Sequence, residues 1–107
     1  MSKPLKVQII EKARALVEDE QHWCRGELAR DASGLSVGPT DSGATRRCGL
    51  GALIAAAYQI TNDTHLAHDL AINALRPLCG SATLVNLNDA RGHAAVLALL
   101  DEVLSGK

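Results

Sequence analysis

Cys48 stands in the setting that most favours covalent chemistry, directly after Arg46 and Arg47 and at the head of an apolar stretch. If a helix opens there, its free backbone N–H groups and the two cations favour a thiolate and a lowered thiol pKa, the condition of a cysteine nucleophile. The competing reading is packing, because a free cysteine behaves as a small hydrophobe and is among the most often buried residues. The same helix start could instead hold a phosphate or carboxylate between Arg46, Arg47 and the N–H groups, with Arg30 arriving from the preceding segment. Solvated arginines are the plain alternative, and the glycines of Cys48-Gly-Leu-Gly51 match neither of the usual nucleotide fingerprints.

Soft metal ligands are present as His22, Cys24, Cys48, His65, His68, Cys79 and His93, and His65 and His68 share a helix face at i and i+3. No Cys-x-x-Cys or His-Glu-x-x-His spacing joins them, so no metal and no cofactor is expected. Trp23 is the single Trp, either a core anchor or a stacking platform. Asn88-Asp89 has the residue types of a helix N-cap. No Ser-His-Asp signature, nucleophile elbow or pair of catalytic carboxylates stands out.

The elements that must position these residues follow from periodicity. Val7, Ile10, Ala13, Leu16 and Val17 recur at helical spacing and predict a surface helix over 5–20. Residues 21–43 carry Gly26, Gly34, Gly38, Gly43 and Pro39, and predict a long loop with a short hairpin over 27–37 turning at Ala32-Ser33-Gly34. A loop of that length in a compact domain is often functional. Residues 44–59 are apolar on every side and predict a central buried helix capped by Asp41 or Ser42. Gly49 and Gly51 within it point to another backbone passing close. A third helix over 62–79, capped by Thr61, Asn62 or Asp63, carries a stripe of Leu66, Leu70, Ala71, Ala74, Leu75 and Leu78 and ends near Pro77 and Gly80. A connector over 80–90 leads to a last helix over 91–105, capped by Asn88-Asp89, with Val96, Leu97, Leu99, Leu100, Val103 and Leu104 on its apolar face.

The fold class expected is therefore mainly α, a compact bundle of about four helices with a loop segment between the first two. At 107 residues, one core over 1–107 is the expectation. With 47% hydrophobic residues, one Trp, one Tyr and no Phe, that core must be built from Leu, Ile, Val and Ala, which lets helices approach closely. Eleven Lys and Arg against twelve Asp and Glu leave no overall field to attract nucleic acid or an anionic membrane. The longest apolar runs fall short of the roughly 20 residues of a spanning helix. Three cysteines, an odd number in no close pair, fit reduced thiols, and a cytoplasmic location is expected.

Four short motifs follow in order, Trp23-x-x-Gly26-x-Leu28-Ala29-Arg30-Asp31-x-x-Gly34, Cys48-x-x-Gly51-Ala52-Leu53, Asn88-Asp89 and Val96-Leu97-Ala98-Leu99-Leu100-Asp101, and the likeness they carry covers roughly residues 21–104. The chain resembles in them a family of short bacterial and phage proteins, frequent in actinobacteria and classed as a domain of unknown function. It departs from that pattern at Leu87, where an aromatic often precedes Asn-Asp, and at Arg47, where an aromatic stands before Cys48. The resemblance implies interest in Ala29-Arg30-Asp31, Cys48 and Asn88-Asp89 but supplies no activity. Two functions are carried forward. One is a noncatalytic binding module, as a monomer or a small homo-oligomer, that presents Trp23, Arg30, Asp31, Arg46, Arg47, Asn88 and Asp89 to a protein or a small anionic ligand; the distribution of the family suits a phage or mobile-element accessory protein. The other is a thiol-dependent enzyme with Cys48 as nucleophile, Asp89, His22 or His93 as its partner, and helix N–H groups as oxyanion donors.

Overall fold

In a computed structural model, which describes residues 3–76 and 78–105, the chain forms five α-helices and one small antiparallel sheet. The first helix, α1, spans Leu5–Val17, and its buried Ile9, Ile10, Ala13 and Val17 form the expected stripe. It stops three residues before the expected boundary at residue 20. Asp19 leaves the helical region (φ −83, ψ 127), and its carboxylate accepts from the Gln21 N–H to start a separate 3₁₀ turn over Glu20–His22.

The expected loop over 21–43 holds more order than its glycines suggest. Strands β1 (Ala29–Asp31) and β2 (Ser36–Val37) make the anticipated hairpin, with Ala29 opposite Val37 and Gly34 at φ +90 in the turn. Asp31 builds that turn, its Oδ1 accepting from the Ser33 N–H, the Ser33 hydroxyl and the Leu35 N–H. A third strand, β3 (Ala44–Arg47), pairs with the other edge of β1 in the order β2-β1-β3. Residues 44–47 are thus strand and not the opening turn of a helix. Asp41 accepts from the Gly43 N–H in a tight turn and does not cap a helix.

Cys48 is the N-cap of α2 (Gly49–Thr61), its sulfur accepting from the Gly51 N–H at 3.3 Å. Ala52, Leu53, Ala56 and Ala57 are fully buried, so α2 is the expected central helix. It ends at Asn62 in the left-handed region (φ +57), whose N–H donates to the Tyr58 carbonyl. Asp63 caps α3 (Thr64–Asn73) by accepting from the Leu66 N–H. The expected helix to residue 79 stops at Asn73, where the chain tightens into i→i+3 bonds: Ala74 N–H donates to the Ala71 carbonyl and Arg76 N–H to that of Asn73. Its buried stripe is Ala67, Ala71, Ala74 and Leu75, while Leu66 and Leu78 are exposed. Pro77, expected to mark this end, lies outside the described residues.

The expected connector over 80–90 is a helix, α4 (Ser81–Arg91), which makes the helices five and not about four. Asn88-Asp89 therefore sits in its last turns and does not cap the next helix. Gly92, at φ +94, ends α4 and leads into α5 (His93–Leu104). Val96 and Leu100 of α5 and Leu84 of α4 close the core over Ile9, Ile10, Leu53 and Ile54. Each such fully buried aliphatic side chain stabilises by about 1.5–3 kcal/mol. An Arg14–Asp101 pair fastens α5 to α1 at the surface. No helix among the described residues is long and apolar enough to cross a membrane.

Candidate functional site

Asn88 is the only polar side chain among the fully buried residues described, and its surroundings explain why α4 carries it. Its Oδ1 accepts from Trp23 Nε1–H at 2.7 Å and from the Gly49 N–H at 2.9 Å. Its Nδ2 donates to the Cys24 carbonyl at 3.2 Å and to Asp89 Oδ1 at 3.0 Å. One amide thereby uses both acceptor sites and both donors to join three segments: α4, the Trp23–Cys24 stretch and the free N–H groups opening α2.

Asp89, the next residue, extends the same clamp. Its Oδ1 also accepts from the Gly26 N–H at 3.0 Å, holding the bend where Gly26 takes φ +86. The Gly26 N–H and the Asn88 amide hold the Asp89 carboxyl below its ordinary pKa range, and Arg25 adds to this. Leu28 is pressed against α2 on the far side: a Cβ on Gly51 would lie 2.0 Å from the Leu28 carbonyl oxygen. The close backbone approach expected from this glycine is thus real. At Gly49 a Cβ would meet side chains, Val96 Cγ1 at 3.1 Å and Leu84 Cδ1 at 3.3 Å.

Between these walls lies a pocket of about 250 Å³ lined by Gly26, Glu27, Leu28, Cys48, Val85 and Asp89. Its charged groups are carboxylates. Glu27 accepts from the Ser36 hydroxyl, and Asp89 Oδ1 is fixed as described, with no donor reaching Oδ2 among the described residues. Cys48 forms part of the wall but is buried, and that burial raises its thiol pKa, more than the bond from Gly51 lowers it. Burial likewise pushes Cys24 up to about 11, with Cys48 adding to the effect.

Trp23, Cys48, Asn88 and Asp89 are the expected site residues that the fold brings together. The Trp23 ring is half-buried, with the His93 ring 5.8 Å away and the Arg25 guanidinium 5.4 Å over it. It anchors the segment and does not line the pocket. Arg30 donates to the Arg25 and Gly34 carbonyls and so braces the loop behind Gly26. Asp31 is occupied in the hairpin turn, where the Ser33 hydroxyl first, and then backbone N–H groups, lower its pKa. Arg47 donates to the Pro39 carbonyl at 2.9 Å, and Arg46 is exposed on β3. None of these three arginines lines the pocket, and the helix-start anion site expected from Arg46 and Arg47 is not assembled, because both precede α2 as strand. His93 donates through Nε2 to the Val17 carbonyl at 2.6 Å, while His22, His65 and His68 are exposed. Among the described residues no three His, Cys, Asp or Glu side chains are grouped to hold a metal ion.

Glu27 and Val85 were not marked by any motif. Gly26 and Leu28 were part of one, and their fixed spacing from Trp23 was the signal that this segment shapes a wall. A family model described as a family of unknown function (DUF6197) matches residues 1–105, and the chain belongs to that family. No curated protein and no solved structure matches the chain.

Proposed function

We propose that this member of the family is a noncatalytic binding module whose pocket receives an alkylammonium group, carried by a small amine or by the lysine of a partner protein. The observation that carries the reading is the pairing, in one pocket of about 250 Å³, of the Asp89 and Glu27 carboxylates with the apolar Leu28 and Val85. An ammonium donates up to three hydrogen bonds and pairs best with an ionised carboxylate, and the lowered pKa of Asp89 keeps it ionised at neutral pH. The apolar wall suits a methylene chain. An anionic ligand finds no lining cation there, since Arg30 and Arg47 are engaged with carbonyls.

The reason to prefer binding over a thiol-dependent enzyme is that no general base is hydrogen-bonded to the Cys48 sulfur among the described residues: it accepts from the Gly51 N–H, His93 is bonded to the Val17 carbonyl, and His22 is exposed. Titration calorimetry with cadaverine, agmatine and inorganic phosphate tests the proposal. The amines are expected to bind and phosphate is not. Asp89→Asn, which keeps an oxygen for Gly26 but removes the charge, is expected to weaken amine binding at least tenfold, about 1.4 kcal/mol. Phosphate binding without amine binding would overturn the reading.

A further inference from the structure

We propose that Cys24 and Cys48 form a redox-modifiable thiol pair, closing to an intramolecular disulfide when a small disulfide reaches them through the pocket. Trp23 and Arg47 form a parallel bridge, with the Cys24 N–H donating to the Arg47 carbonyl at 3.1 Å. That register makes the next residue of each segment, Cys24 and Cys48, neighbours, and strand alternation turns both to the side opposite Trp23 and Arg47. Burial follows the same alternation: both cysteines are buried, and both bridge partners are half-buried. The Asn88 amide fixes the juxtaposition, donating to the Cys24 carbonyl while accepting from the N–H of Gly49, the residue after Cys48. A charge on Cys48 raises the pKa of Cys24, as expected of thiols close enough to feel one another. Access is through the pocket, which Cys48 and Glu27 both line, and the Cys24 thiol donates to the Glu27 carbonyl at 3.4 Å. Cys79 lies elsewhere, between α3 and α4.

The exchange balances. Cys48 loses its proton to water, and the thiolate attacks one sulfur of a small disulfide RSSR, forming Cys48–S–S–R and releasing RS⁻, which takes up a proton. Cys24 then loses its proton to water, and its thiolate attacks the Cys48 sulfur, forming the Cys24–Cys48 bond and expelling the second RS⁻, which takes up a proton. Two protein thiols are oxidised by two electrons, and one RSSR is reduced to two RSH.

The test uses the folded wild-type chain, reduced and then incubated with oxidised glutathione well below its melting temperature, then alkylated in urea. Intact mass is followed by cleavage at aspartates, where Asp31 and Asp41 separate Cys24 from Cys48, and Asp63 and Asp69 separate Cys48 from Cys79. The expected product has lost two hydrogens, carries one alkyl group on Cys79 and yields one cross-linked peptide pair. Cys24→Ser and Cys48→Ser, checked for native circular dichroism, are each expected to lose that product. Folded protein that stays fully reduced, or that carries only glutathione adducts, would overturn the proposal. So would a Cys24–Cys48 bond that forms only in urea.

Discussion

At the scale of single residues, Asn88 is the group on which the site depends most. It is fully buried, and its amide makes four hydrogen bonds. Removing it strands the Trp23 Nε1–H, the Gly49 N–H and the Cys24 carbonyl in a region with little water, each at a cost of about 1 kcal/mol or more. Asn88→Ala is therefore expected to destabilise the protein by about 3–5 kcal/mol in urea unfolding. A loss below about 1 kcal/mol would mean that water replaces the amide and that Asn88 is not the clamp. Trp23→Phe separates the ring from its N–H. It keeps most of the packing against His93 and gives up one bond to Asn88, so a loss of about 1 kcal/mol is expected.

At the scale of elements, the contact between the Leu28 backbone and α2 sets the width of the pocket, and Gly51 is what permits it. A Cβ 2.0 Å from a carbonyl oxygen must move backbone, whereas one at Gly49 meets the more yielding side chains of Val96 and Leu84. Gly51→Ala is expected to cost about 3 kcal/mol or more and to weaken any pocket ligand. Gly49→Ala should cost about 1 kcal/mol, because the gain in helix propensity offsets part of the overpacking. Equal melting temperatures for the two variants would contradict this ordering. The glycine spacing was legible in the sequence, as were the α1 stripe, the buried α2 and the hairpin over 27–37, because each rests on local periodicity or turn chemistry. What was not legible depends on distant partners. Ala44-Thr-Arg-Arg47 becomes a strand because β1 offers an edge, and no local pattern in those residues reports that edge. α4 was hidden because Thr83, Val85, Asn86 and Asn88 are poor helix formers, and its fully buried residues are only Leu84 and Asn88, spaced i and i+4. With the start of α2 displaced to Gly49, Arg46 and Arg47 left the anion site expected of them, while Glu27 and Val85 entered the pocket unannounced.

For the whole molecule, the ionisable groups held away from their ordinary pKa values set opposite limits on stability. Asp31 and Asp89 are depressed in the folded state, so the stability they contribute is present above the ordinary carboxylate pKa of about 3.9 and is lost as pH falls through their folded values. The thiols act with the other sign. Burial raises Cys24 from 9.0 to about 11 and moves Cys48 and Cys79 in the same direction. In the unfolded chain these thiols release their protons first. Above pH 9.0 the unfolded state thus binds fewer protons than the folded one, and stability declines until the folded thiols also ionise, near pH 11 for Cys24. Urea midpoints measured from pH 3 to 11 at fixed ionic strength are therefore expected to show a plateau near neutrality with a fall on each side. Asp89→Asn should flatten the acid limb, and Cys24→Ala the alkaline one. Because a disulfide has no proton to release, closing Cys24 to Cys48 should flatten the alkaline limb as well, leaving only the part that belongs to Cys79. A midpoint still rising between pH 9 and 11 in the reduced protein would show that the buried thiols do not control that limb.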